Sequence, residues 1–372
     1  MYFKNNIKNM IKTLFFNLGL DIKKIRIKKK NLEIVSPNQL DFYKKKELQE
    51  VCNQIYKFLD KIDLFYSGLD LIEPLKIKGA WKGDLILNRK IQNKIYEDKN
   101  NDLIIQFHEN MFFNECIKGL WNYSYFEDIE TISLNRFNDD YINFKKIFDY
   151  PKIISSNLPF KRWGIRLESN FLIFNDLWHT EQAVHIKNIY NYLKKESEIC
   201  FLEIGSGYGG MIEKLDKFKI FKKYFLIDIP HNLITTYYFL SKIYGKEQVC
   251  LVNNRNFTSL INNNKIKFFL IPTCFFEEIK NIHSNFIVSN SASFSEMNKE
   301  TIDFYIENLP SKTLAVISIN SNENSINDDN HIEVKIDDIN FQNYSLVYEG
   351  FPISSTSNRY KTKILFNRNY LL

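Results

Sequence analysis

The chain has no long apolar run, no paired cysteine motif and no strong excess of charge, and each absence removes a class of function. No stretch approaches the roughly 20 apolar residues that span a bilayer. The first residues show no long apolar core followed by a small-residue cleavage site, so a secretory leader is not expected. The five cysteines (Cys52, Cys116, Cys200, Cys250 and Cys274) form neither a C-x-x-C pair nor a metal-ligand spacing. An odd number of scattered thiols fits a reducing compartment, and the expected location is the cytoplasm. The net charge of +6 is mild and spread over both halves, which argues against nucleic acid as a partner. There is no repeat of fixed period and no low-complexity linker.

What is present is ordinary for a soluble globular protein: 372 residues, 44% hydrophobic and 25% charged, enough chain for about two domains. Near the N-terminus, Ile7, Met10, Ile11, Leu14, Phe15 and Leu18 recur at helical spacing, with Gly19 as a stop. The run "DIKKIRIKKK" follows. It reads as a helix packed on the body with a solvated charged tail; the alternative is peripheral contact with an anionic membrane surface.

Residues 40–66 read as a helix with Leu48, Val51, Cys52, Ile55, Phe58, Leu59 and Ile62 on one face. "FHENMFFNECIKGLW" (107–121) reads as another, ending near Gly119. The segment 122–178 reads as loop-rich, with turn signals at Pro151, Pro159 and Gly164. A helix is expected over 179–195, with Thr180 as N-cap. Beyond it, strands are expected at Ile199–Ile204, Tyr224–Ile229, Ile266–Ile271, Phe286–Ser289 and Leu314–Ile319. The short run Val249–Val252 is left undecided. Helical patterns at 210–219, 231–244 and 297–309 separate these strands, the signature of a parallel sheet covered on both faces. "YSLVYEG" and "KTKILFNR" read as a closing antiparallel pair.

The four glycines of "FLEIGSGYGG" follow the first of these strands and open a helix. Side chains there would keep a ligand from the backbone, which is the use of Gly205, Gly207, Gly209 and Gly210. Asp228 closes the next strand, where a carboxylate can accept from both ribose hydroxyls of a nucleotide. The spacing satisfies G-x-G-x-x-G, so a dinucleotide and hydride transfer stand as one reading, an NAD-dependent oxidoreductase acting on a nucleotide sugar. Three features favour S-adenosylmethionine. Glu203 places an acid before the glycines, the motif lies deep in the chain, and the closing antiparallel pair matches the class I methyltransferase sheet. A third reading is a non-catalytic nucleotide-binding partner protein.

"FLEIGSGYGGM", "LIDIPHNLITTYYFLSKIYG" and "FIVSNSASFSEMNKETIDFYIENL" resemble the bacterial sugar O-methyltransferases encoded with surface-polysaccharide biosynthesis genes. The resemblance covers about residues 160–372. It implies an α/β class I methyltransferase domain at 161–372, preceded by a mainly helical accessory domain at 1–160. It also implies S-adenosylmethionine as cofactor and a sugar, sugar-nucleotide or glycan acceptor. Expected cofactor-binding residues are Glu203, Gly205, Ser206, Gly207, Tyr208, Gly209, Asp228, Ile229 and Thr273.

A hydroxyl acceptor needs a base, and in open α/β sheets the working residues follow the strands. Glu296, His179 and His231 are the candidates for proton removal; Trp178, Asn290 and Ser293 are candidates for the acceptor site. Glu181 and His331 lie on the same edge. Two of these have a structural alternative, since Glu296 and His231 stand where helix caps occur. No metal is expected, because the acid pairs Asp328–Asp329 and Asp337–Asp338 sit in a polar loop.

Overall fold

The computed structural model describes residues 32–35, 45–67, 95–97, 99–113, 131–147, 158–167, 170–173, 175–193, 198–324, 332–353 and 359–370. The N-terminal helix with its basic run, the 114–121 part of the second expected helix, Asp328–Asp329 and His331 lie outside them.

In chain order the elements are β1 (Leu32–Val35), α1 (Lys45–Ser67), α2 (Asn101–Glu109), α3 (Thr131–Ile147), β2 (Arg162–Leu167), β3 (Asn170–Leu172) and α4 (Asn175–Leu193). The sheet region follows with β4 (Ile199–Ile204), α5 (Gly210–Asp216), β5 (Tyr224–Asp228), α6 (Pro230–Tyr244), β6 (Val249–Leu251) and β7 (Phe268–Pro272). It ends with β8 (Asn285–Ser291), α7 (Lys299–Glu307), β9 (Thr313–Ser321), β10 (Tyr344–Gly350) and β11 (Tyr360–Asn367).

Eight strands form one sheet in the order β10-β11-β9-β8-β4-β5-β7-β6. Strands β4 to β9 pair in parallel, while β11 runs antiparallel between β9 and β10. Their apolar runs are continuous because both faces are covered. Phe201, Leu226, Phe268 and Ile287 face the helices α4, α5 and α6. Leu202, Phe225, Phe269 and Val288 face α7 and the 3-10 segment Thr273–Asn281.

The N-terminal segments share the first of these cores. Val51, Cys52 and Ile55 of α1 and Ile104 and Phe107 of α2 are buried with α6 residues such as Tyr237 and Phe239. Glu109 joins Tyr238 and Lys242 across that seam, with the Lys242 ammonium 4.5 Å from the Phe160 ring centre. The Trp163 indole donates to the Phe112 carbonyl at 2.7 Å, and β1 pairs antiparallel with β2 on the other side of the 160/161 line.

Several local expectations are corrected. The helix expected from 107 begins at Asn101, because Asn100 accepts from the amides of Asp102 and Leu103, and it ends at Glu109. The segment read as loops holds α3, β2 and β3; the two strands are too short for alternation to register. Thr180 lies inside α4, its hydroxyl bonded back to the Asp176 carbonyl at 2.6 Å. Val249–Leu251 is the parallel edge strand beside β7.

Candidate functional site

The chain passes from β4 outward to β5 on one side, and the later connection from β7 crosses back to place β8 on the other side of β4. The carboxyl ends of β4 and β8 therefore frame the crevice where open α/β sheets bind ligands. The glycine turn forms one wall. Gly205, Gly207 and Gly209 have φ of +83°, +54° and +89°, a region that side chains disfavour. The Gly205 amide donates to the Ile227 carbonyl at 2.8 Å, and the Thr236 hydroxyl donates to the Gly207 carbonyl at 2.6 Å. A Cβ on Gly205 would overlap the Ser293 side chain.

Asp228 is buried against this turn. Its Oδ2 accepts from the Gly207 amide at 2.7 Å; its Oδ1 accepts from the Ile229 amide at 2.7 Å and from Asn232 Nδ2 at 2.9 Å. A carboxylate has about four acceptor positions, so roughly one remains, on Oδ2. The expected capture of two ribose hydroxyls thus requires the Asn232 amide to give way. Burial pushes Asp228 up to about 6, opposed by those three hydrogen bonds.

Glu203 is buried beneath the turn, and its Oε2 has no hydrogen-bond partner. Burial, with Asp228 nearby, raises its carboxyl well above the usual range. The Ser206 hydroxyl is likewise buried and unpartnered. The Tyr208 ring is packed among Phe112 and Phe239, with centroids 5.9 and 5.1 Å away. Ile229 is half-buried just past β5, and Thr273 is buried just past β7.

The loop after β8 forms the opposite wall. Asn290 donates to the Ile204 carbonyl at 2.8 Å and accepts from Asn320 at 2.8 Å, and the Ser293 hydroxyl donates to Ile204 at 3.1 Å. Ser295 bonds Asn320 and the Ser321 amide. Asn290 and Ser293, expected at the acceptor, are thus engaged in fixing the loop against β4 and β9.

The same network presents Glu296, which is half-buried. It is not the helix cap: Asn298 caps α7, accepting from the Thr301 amide at 3.1 Å. Glu296 acts electrostatically on Arg359 and Tyr360 at the start of β11. Arg359 donates to Glu333 at 2.7 Å, and the Val334 amide holds the Glu333 segment to the Ser295 carbonyl at 3.1 Å. Trp178 closes the group with its ring edge-on to Tyr360, 5.3 Å between centroids. Because β11 runs antiparallel, its first residues lie at the carboxyl ends of the parallel strands, and Tyr360 pairs with Ser321. Arg359, Tyr360 and Glu333 carry no local sequence signal; only the return of β11 brings them here.

The two histidines are placed differently. His231 stands in the first turn of α6, beyond β5, and β4 separates that strand from β8. His179 lies against the glycine turn, its ring 5.7 Å from Tyr208. Burial, and secondarily Lys214, holds its imidazole down to about 3. A group held that low is a poor proton acceptor at neutral pH, which counts against the expected role as a base. Glu181 is buried and accepts from the Ile353 amide at 2.9 Å, tying α4 to the segment after β10.

Among the described residues no group of three or more His, Cys, Asp or Glu could hold a metal ion. Asp337 instead bonds Lys361 and Lys363, each at 2.7 Å, which hold its carboxyl below the usual range. Among the described residues no helix is long and apolar enough to cross a membrane.

The parallel strands, the reversed strand inserted next to the last, and the glycine turn after the central strand define the α/β class I methyltransferase fold. No family model matches the chain, and no curated protein matches it. Solved structures do match. A SAM-dependent methyltransferase from Leishmania major is 11% identical, over 51% of this chain and 73% of that one, with a TM-score of 0.35. TrmK from M. capricolum, solved with S-adenosyl-homocysteine, is 16% identical over 49% and 68%, with a TM-score of 0.32. The N-methyltransferase NodS from Bradyrhizobium japonicum, also with S-adenosyl-homocysteine, is 13% identical over 62% and 98%, with a TM-score of 0.32.

Proposed function

We propose that the protein is an S-adenosylmethionine-dependent O-methyltransferase acting on a sugar hydroxyl, free, nucleotide-linked or in a glycan. The observation that carries this reading is the glycine turn tied to Asp228 at the switch point of a sheet whose penultimate strand position is reversed. The fit is supported by two buried polar atoms beside the turn, Glu203 Oε2 and Ser206 Oγ, that have no partner within the protein. Glu203, Ser206, Gly207 and Asp228 are the residues that hold the cofactor, with Ile229 and Thr273 lining the nucleoside side.

When bound, S-adenosylmethionine supplies a methyl group on a sulfonium that needs no further activation. The chain's own work is to orient the acceptor, exclude water and take a proton from its hydroxyl. Glu296 stands where that proton leaves, on the loop fixed by Asn290, Ser293 and Asn320. Trp178 and Tyr360 supply apolar ring surface for a pyranose face, and Glu333 and Arg359 supply acceptors and donors for its hydroxyls. Two carboxylates around one guanidinium leave this end net acidic, which suits a neutral polyol better than an anion.

Thermal shift with S-adenosylhomocysteine and with NAD tests the cofactor. A native-state ligand at a hundredfold over its dissociation constant adds about 2.7 kcal/mol of stability. Stabilisation by NAD alone would hand the site to hydride transfer. Mass spectrometry of sugar nucleotides and glycans incubated with protein and S-adenosylmethionine tests the acceptor, read as the gain of one methyl.

A further inference from the structure

The imidazole of His179 lies against the glycine turn, and the proposed chemistry leaves it without a task. A Cβ placed on Gly210 would come within 2.6 Å of His179 Cε1, the ring carbon between the two nitrogens. The nitrogen-bearing edge of the ring therefore faces the turn. One of those nitrogens, Nδ1, is enclosed and has no hydrogen-bond partner, although an edge of the residue remains exposed. An enclosed polar atom without a partner costs free energy, so its retention points to a ligand that supplies one.

The neighbouring orphans narrow the chemistry. Ser206 Oγ, on the same turn, is a donor without a partner; Glu203 Oε2, at the end of β4, is a second buried orphan. Donors left open beside a carboxyl group match the zwitterionic end of an amino acid, whose carboxylate accepts from the donors. Burial, and secondarily Lys214, which is bonded to Asp176 at 2.6 Å, keeps the ring uncharged. An uncharged imidazole still offers one N–H, and which nitrogen carries it follows the partner.

We propose that His179 is a cofactor-binding residue that donates its Nδ1–H to the α-carboxylate of the amino-acid tail of S-adenosylmethionine. The assignment rests on the cofactor reading above. It removes His179 from proton transfer and leaves the acceptor side to Glu296.

The test compares two polar variants by calorimetry, with two ligands. In His179→Asn the amide overlaps the position of Nδ1; in His179→Gln it reaches towards that of Nε2. S-adenosylhomocysteine carries the amino-acid tail, and 5′-methylthioadenosine lacks it. His179→Gln is expected to weaken S-adenosylhomocysteine by about tenfold to a hundredfold, the value of a hydrogen bond to a charged group, and to leave 5′-methylthioadenosine unchanged. His179→Asn is expected to recover most of that loss. The unchanged second ligand also reports that the variant is folded. Equal binding of S-adenosylhomocysteine by His179→Gln and wild type overturns the assignment, as does equal weakening of both ligands. If the wild type binds neither ligand, the cofactor reading itself fails, a result distinct from either of these.

Discussion

Asp228 Oδ2 accepts the backbone N–H of Gly207 at 2.7 Å, so the acid that ends β5 and the turn that ends β4 are one hydrogen-bonded unit. The acid therefore shapes the turn. Asp228→Ala leaves the Gly207 and Ile229 amides without their acceptor and is expected to cost about 1–3 kcal/mol of stability. The same variant should lose most affinity for S-adenosylhomocysteine. Thermal melts with and without ligand separate the two effects.

The raised Asp228 carboxyl makes ligand binding pH-dependent. With its folded value up at about 6, the acceptor form is lost as pH falls through that value, and cofactor affinity should weaken there. The stability contribution has the opposite sense. Between its unfolded value of about 4 and its folded value of about 6, the unfolded chain has released a proton that the folded chain retains. This group's contribution to stability therefore falls as pH rises through that window. Calorimetry of S-adenosylhomocysteine binding from pH 5 to pH 8, with melts of the free protein, checks both signs.

Gly205→Ala is expected to be strongly destabilising. The φ of +83° disfavours any side chain, and the added methyl would overlap Ser293, which is itself fixed to Ile204. The strain amounts to about 1–3 kcal/mol before the clash is counted. A variant with wild-type urea midpoint would show that the turn is not held as described.

Glu296→Gln and Asn298→Ala separate catalysis from capping. Removing a base while keeping its shape should lower the methylation rate by roughly 10²–10⁴-fold and leave S-adenosylhomocysteine binding and melting unchanged. Removing the α7 cap at Asn298 should cost about 0.5–2 kcal/mol and leave cofactor binding intact. Near-normal single-turnover rates in Glu296→Gln would place the base elsewhere.

Lys214→Met removes the cation bonded to Asp176 at 2.6 Å, both groups being buried, and leaves the carboxylate with the Ile173 amide and the charge of Arg162. Breaking a buried ion pair by removing one partner costs about 3–5 kcal/mol, so this variant should show one of the larger losses of stability, read by urea denaturation. Replacing both partners with apolar residues should recover much of it.

The sequence by itself determined the sheet and the glycine turn at its edge. Buried parallel strands must be apolar on both faces, so β4, β5, β8 and β9 stand out as continuous runs, and a turn that lets a ligand approach its backbone must be glycine. Those demands act on neighbouring residues, and neighbouring residues are what a sequence displays. The short strands β2 and β3 and the helix α3 lack such a local demand and were read as loops. Tertiary structure alone decided the surroundings of Glu296. Arg359 and Tyr360 reach Glu296 and Trp178 because β11, which starts about 60 residues beyond Glu296, inserts antiparallel beside β9, a pairing that no local pattern encodes. It also decided that Asn290 and Ser293 bond the Ile204 carbonyl, that the Tyr208 ring packs among Phe112 and Phe239, and that His179 faces the glycine turn. Burial and hydrogen-bond partners are set by what packs against a residue, and for these four the packing partners come from distant parts of the chain.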